Sequence, residues 1–278
     1  MKIMLHANVF LVAVVCWAQS AQAGVVIEQQ ERQPANQNQA HTAILYVDAG
    51  KLRMETKSPQ GEDVVMIFDQ SKQVMWTIDR KAGTYYEITA ADVQKMGQSM
   101  GQAMGQMSEM MKQMEAEMAN MPPEQRAMME RMMKQGSMTM AQPAAPQITV
   151  EEKGQGDKVG QFSCSLYDVL TNGQRTQEVC AAPLDQALMQ PPEYQTFQAM
   201  AEFYEPLRRN APQGGWGVSG VSQIKGFPVR WRSYEGGRTV SEWEVVKAEQ
   251  RDLDPSQFGL PSGLKKQDMM QMMKMAPQ

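Results

Sequence analysis

Ile44-Leu45-Tyr46-Val47-Asp48-Ala49-Gly50-Lys51-Leu52-Arg53-Met54-Glu55 decides the fold class of this chain. Ile44, Tyr46, Leu52 and Met54 alternate with their neighbours on either side of an Asp48-Ala49-Gly50 turn. A period of two around a turn that contains Gly is the signature of an antiparallel hairpin. Lys51, Arg53, Glu55 and Lys57 then supply a wet face.

The same texture extends both ways. Val25–Arg32 reads as a first strand. Val64–Phe68 is continuously apolar and suits a central strand, and Asp69-Gln70-Ser71-Lys72 turns it into Val74–Ile78. Lys81-Ala82-Gly83 leads to Thr84–Ile88. Beyond residue 147 strands resume at Ile148–Glu152, Phe162–Leu170, Gln174–Cys180, Phe227–Tyr234 and Thr239–Ala248. Short strands at regular spacing favour a meander that closes into a sandwich or barrel. Pro191-Pro192-Glu193 opens a helix reaching to about residue 209, with Tyr194, Phe197, Ala201, Tyr204 and Leu207 as its apolar face.

Between these strand blocks the composition changes. Residues 96–140 hold 15 of the 27 methionines and no aromatic residue. Met100, Met104, Met107, Met111, Met114, Met118 and Met121 are spaced 4, 3, 4, 3, 4, 3, which draws one stripe along an α-helix. Gly97, Gly101 and Gly105 recur in near-copies of a four-residue unit. Gly costs a helix roughly 1 kcal/mol against Ala, so these first turns are expected to be loose. Pro122-Pro123 ends the helix, and Met128, Met129, Met132 and Met133 begin a second stripe.

The N-terminus carries the marks of an export signal. Lys2 precedes the apolar run Val9–Val15, and Ala21-Gln22-Ala23 offers a small-x-small cleavage site. Cleavage after Ala23 places the mature protein in the periplasm or outside the cell. Only Cys164 and Cys180 then remain, an even pair in an oxidising compartment. A three-residue loop Thr171-Asn172-Gly173 would pair Leu170 with Gln174 and set Cys164 directly opposite Cys180, closing a disulfide worth roughly 3 kcal/mol. The domain boundaries follow: residues 1–23 a signal peptide, 24–265 one β-rich domain with a Met-rich helical insertion over 91–140, and 266–278 a Met-rich tail.

Catalytic material is scarce. The mature chain holds one His, His41, and no phosphate-cradling Gly motif with its Lys. A net charge of −4 gives no basic surface for nucleic acid. The expectation is a protein that is not an enzyme and needs no cofactor. Three readings of the methionine stripe remain open. Met104, Met107, Met111, Met114, Met118, Met121, Met128 and Met132 could form an adaptable apolar binding face. Met111, Met114 and Met118, or Met128, Met129 and Met132, could chelate Cu(I) or Ag(I) through their thioethers. The stripe could also be core, or a seam for self-association.

Several stretches resemble an uncharacterised family of exported bacterial proteins, a domain-of-unknown-function type related to the periplasmic lipoprotein carriers of the LolA and LppX kind. They are Leu52-Arg53-Met54-Glu55, Met66-Ile67-Phe68-Asp69 with Val74–Asp79, Pro122–Met129, and the closing Phe258-x-x-Pro261-x-Gly263-Leu264. The resemblance implies an α+β fold: a strongly curved antiparallel sheet, a half-open barrel, with covering helices and an apolar cavity between. It also implies an apolar ligand or a lipidated partner, and none of its motifs is catalytic.

Overall fold

A computed structural model describes residues 23–32, 41–57, 63–119, 122, 125, 147–156, 158–208 and 220–268. The strands are β1 (Gly24–Arg32), β2 (His41–Asp48), β3 (Lys51–Lys57), β4 (Asp63–Asp69), β5 (Val74–Asp79), β6 (Thr84–Thr89), β7 (Ile148–Gln155), β8 (Ser165–Thr171), β9 (Gln174–Ala182), β10 (Phe227–Glu235), β11 (Arg238–Arg251) and β12 (Lys265–Gln267). The helices are α1 (Ala90–Ala119), α2 (Pro191–Phe203) and α3 (Glu205–Arg208). All twelve strands join one sheet in the order β12-β6-β5-β4-β3-β2-β1-β11-β10-β9-β8-β7. Every pair is antiparallel except β12 with β6. The long strand β11 binds β1 on one side and β10 on the other, and so joins the two strand blocks that the methionine region separates in sequence.

The sheet is not closed. β7 and β12 end the order among the described residues, so the expected half-open barrel takes the form of an open sheet. Both edges are blunted against further pairing. β12 has three residues, and β7 carries Glu151, Glu152 and Lys153 beside a bulge at Gly154.

α2 packs against one face of the sheet. Phe203 at the end of α2 meets Phe68 of β4 at 5.5 Å, while Phe197 meets Phe227 of β10 at 5.2 Å. Between these two strands lie five strand steps, about 24 Å on a flat sheet. The two helix positions are only about 9 Å apart along the axis. α2 thus lies across one face of the sheet and reaches strands on both sides of its middle. Val25, Ile27, Leu45, Val47, Leu52, Phe68, Met75 and Val229 fill the hollow with α2 side chains.

The opposite face has two smaller cores. Val65, Ile67, Val74, Trp76 and Ile78 are covered by Leu260 and Leu264 of the closing segment. Tyr167, Val169, Val179 and Ala181 are covered by Ile224. β4 is therefore buried on both sides, the reason for its unbroken apolar run. The closing segment is held by charge as well. Lys266 Nζ donates to Glu87 Oε1 at 2.6 Å, and Trp76 Nε1 donates to Glu87 Oε2 at 2.9 Å. These two bonds hold the Glu87 carboxyl below its usual range.

Four expectations are corrected in detail. Arg53, assigned to the wet face, is only 8 % exposed. Its guanidinium donates to Glu55 Oε1 and, at 3.0 Å, to the Gln257 carbonyl, so it ties the closing segment to β3. The β8–β9 loop has two residues, not three. Asn172 and Gly173 both have positive φ (53° and 78°), the conformation of a type I′ turn, and Thr171 pairs with Gln174. A bulge at Val169/Leu170 then sets Leu166 opposite Cys180. Cys164 lies just outside the strand, and the Cys164–Cys180 disulfide still forms, with Cα atoms 5.4 Å apart. Finally, the α2 face includes polar residues the apolar stripe omitted: Glu193 and Thr196 are fully buried. Thr196 Oγ1 accepts from Gly50 N–H at 2.9 Å, which docks α2 on the β2–β3 turn. Both Glu193 carboxylate oxygens lack a partner among the described residues.

Candidate functional site

The methionine helix starts at Ala90, immediately after β6. Thr89 and Asp92 form a reciprocal cap. The Asp92 carboxylate accepts from Thr89 N–H at 2.9 Å, and Thr89 Oγ1 accepts from Asp92 N–H at 3.2 Å. Thr89 Oγ1 also donates to the Asp92 carboxylate at 2.6 Å, and this bond, with the one from Thr89 N–H, holds the Asp92 carboxyl below its usual range. Val93, one turn on, is fully buried in the main core.

The first turns are anchored, against the expectation drawn from their glycines. Gly97 is buried, and a Cβ built there would overlap the Pro206 carbonyl, 2.8 Å from its carbon. Glycine at this position lets the α3 backbone lie directly on α1. Gly105, in the same repeat, has nothing within 4 Å of such a Cβ. Near-identical sequence units thus serve two parts of the helix, one clamped and one open.

The stripe divides accordingly. At 100° per residue Val93, Gly97, Met100, Met104 and Met111 share one side of α1. Val93 and Gly97 are buried, and Met100, Met104 and Met111 are half-buried. Met107, Met110 and Met114 lie within about 60° of one another on the adjoining side. They are 59 %, 64 % and 39 % exposed. None of the three belongs to a core cluster among the described residues. Met110 escapes the heptad pattern because it falls between two stripe positions. The 100° rule applied to Met107 and Met114 finds it.

Of the other sequence candidates, Met118 falls within α1, and nothing is assigned to its side chain. Met121, Met128, Met129 and Met132 lie outside the described residues, as does the tail beyond Asp268. Met111 and Met114 of the thioether trio stand one turn apart, the first half-buried and the second exposed. Among the described residues no group of three or more His, Cys, Asp or Glu is placed to hold a metal ion.

Among the described residues, aromatic side chains take up the hollow of the sheet, where the resemblance implies an apolar cavity. Phe68, Phe197, Phe203 and Phe227 occupy the hollow, with Tyr204, whose hydroxyl burial pushes up to about 12. Two concavities stand out among the described residues, and both open to solvent. One of about 610 Å³ lies along the polar side of α1, bordered by Gln102, Gln106, Glu109, Met110 and Gln113. The other, of about 310 Å³, lies between β8, β9 and Lys225. No helix among the described residues is long and apolar enough to cross a membrane.

A family model described as a domain of unknown function, DUF4412, matches residues 89–264. The match begins at the Thr89 cap and ends at Leu264 of the closing segment, so it spans α1, the disulfide hairpin and α2. No curated protein is significantly similar to the chain. Among solved structures, an uncharacterized conserved protein from Thermus thermophilus is similar at 9% identity. That match covers 88% of this chain and 89% of the other, with a TM-score of 0.45, and it carries no functional argument.

Proposed function

Since this chain belongs to the DUF4412 family, whose description assigns no activity, we propose a function drawn from its own surface. It is an exported, non-catalytic protein that binds an apolar ligand in the cell envelope on the methionine face of α1. The ligand class is an acyl chain, a lipid, or a lipidated or apolar peptide. The observation that carries this reading is the exposure of Met107, Met110 and Met114 on a helix whose other end is fixed to the core. Three large apolar side chains grouped on one face mark an interaction surface. Thioether side chains adapt their shape to varied apolar partners.

Export through the signal at residues 1–23 belongs to the same proposal, supported by the Cys164–Cys180 bridge. Kinship with the lipoprotein carriers also belongs to it, supported by a sheet holding a helix in its hollow. The site differs from a carrier's: the outward side of α1 receives the ligand, because aromatic side chains already fill the hollow. A soft-metal role uses the same thioethers, and Met111 and Met114 one turn apart would supply two of its ligands.

Native mass spectrometry of the protein released from the envelope separates these readings. Extra mass matching an acyl lipid supports the proposal. A clean apo mass, with no uptake of a fluorescent fatty acid, sinks it. Mass added by Cu(I) under reducing conditions would transfer the face to metal binding.

A further inference from the structure

Exposed thioethers do more than make apolar contacts. Thioether sulfur takes an oxygen atom from a peroxide. The sulfur lone pair attacks one peroxide oxygen, the O–O bond breaks, an S–O bond forms and water leaves. Sulfur loses two electrons and hydrogen peroxide gains them. The product sulfoxide is polar and chiral, where the thioether was flexible and apolar.

Access differs widely among the described methionines, with Met100, Met104 and Met111 half-buried between the extremes. Met75 and Met189 are each 2 % exposed and sit in the main core. Met107, Met110 and Met114 are 59 %, 64 % and 39 % exposed. The three lie within about 10.5 Å along the helix axis, since Met114 is seven steps of rise beyond Met107. None of the three belongs to a core cluster among the described residues. The N-terminal cap and the Gly97–Pro206 contact, which fix α1, involve no sulfur.

We infer that Met107, Met110 and Met114 form a sulfoxidation site for small peroxides, where oxidation turns the outward face of α1 from apolar to polar while the fold persists. Its use as a switch on ligand binding rests on the apolar reading proposed above. The oxidation itself does not.

The test treats the exported chain with limiting hydrogen peroxide and follows each methionine by peptide mass mapping. Oxidation at these three positions is expected to run about tenfold or more ahead of Met75 and Met189, with an unchanged near-ultraviolet circular dichroism spectrum. A variant carrying Met107→Leu, Met110→Leu and Met114→Leu should lose the fast phase. Equal rates at all methionines, or loss of the native spectrum with the first sulfoxides, would overturn the inference. A labelled fatty acid reports the switch in the same samples. Weaker binding after the fast phase, with the leucine variant unaffected by peroxide, supports both statements. A fast phase in a protein that never binds the fatty acid upholds the sulfoxidation site and removes the apolar reading alone.

Discussion

α2 and α1 are both helices tethered to the same sheet, and they are written in different side chains. α2 is short and carries Tyr194, Phe197, Met200 and Phe203 into the hollow, where rigid aromatic rings interlock with Phe68 and Phe227. α1 is 30 residues long and carries methionine at nearly every stripe position, and its second half leaves Met107, Met110 and Met114 in solvent. Ring shapes specify a single packing, whereas thioethers tolerate many. The difference teaches that apolar content alone does not locate the core of this protein. Where the sheet and its partner segments meet each side chain decides, as the buried Met75 and Met189 show against the exposed Met107 and Met110.

The comparison breaks most readily at one residue from each helix. Phe203→Ala should cost about 3–5 kcal/mol in urea unfolding, because it empties a buried ring site. Met110→Ala should stay within about 0.5 kcal/mol. If Met110→Ala destabilised as strongly as Phe203→Ala, the second half of α1 would be core.

Two further pairs sharpen the contrast. Gly97→Ala should destabilise by roughly 1–3 kcal/mol, since the added carbon overlaps the Pro206 carbonyl. Gly105→Ala should stabilise by up to about 1 kcal/mol, since the space is open and Ala favours helix. Opposite signs from identical substitutions within one repeat would be read directly in thermal melts. In α2, Glu193→Met should raise stability by about 1–3 kcal/mol by removing a buried carboxyl with no partner among the described residues. A loss of stability there would mean that the carboxyl has a partner.

A further modest effect is expected at the start of α1. Thr89→Ala should cost about 1 kcal/mol through the lost cap. The Asp92 carboxyl is held below its usual value of 3.8 by its bonds to Thr89, so it stabilises the fold above that pH. That contribution fades as pH falls below 3.8. Asp92→Asn should flatten this acid limb in pH-dependent melts, and an unchanged limb would remove Asp92 from the account.

Much of the sheet is legible in the sequence because period-two patterns and turn residues act locally. β2 to β6 and β9 to β11 stand close to the expected stretches. The facing of β2 is the reverse of the expected one: Ala43, Leu45 and Val47 enter the core with Leu52, whereas Ile44 and Tyr46 stand opposite Glu55 and Arg53 on the other face. The β8–β9 loop differs by one residue from the expected one because Asn172 is the first residue of a type I′ pair rather than the middle of three. The firm start of α1 does not follow from glycine propensity. It follows from the Thr89-x-x-Asp92 cap and from a Pro206 contact that uses Gly97 and comes from more than a hundred residues away. Neither the β1–β11 pairing nor the parallel β12–β6 pairing leaves a local trace, since each joins segments far apart in the chain. For the candidate site, the sequence carries the stripe but not its division into a half-buried side and an open side. That division depends on where α3 and the core meet the helix.

The most direct measurement titrates a fluorescent fatty acid into the wild-type protein and into a variant carrying Met107→Gln, Met110→Gln and Met114→Gln. The account predicts saturable binding to the wild type and a loss of about tenfold or more in the variant, since three apolar side chains leave the contact while the fold is kept. Equal affinity in both proteins would contradict it.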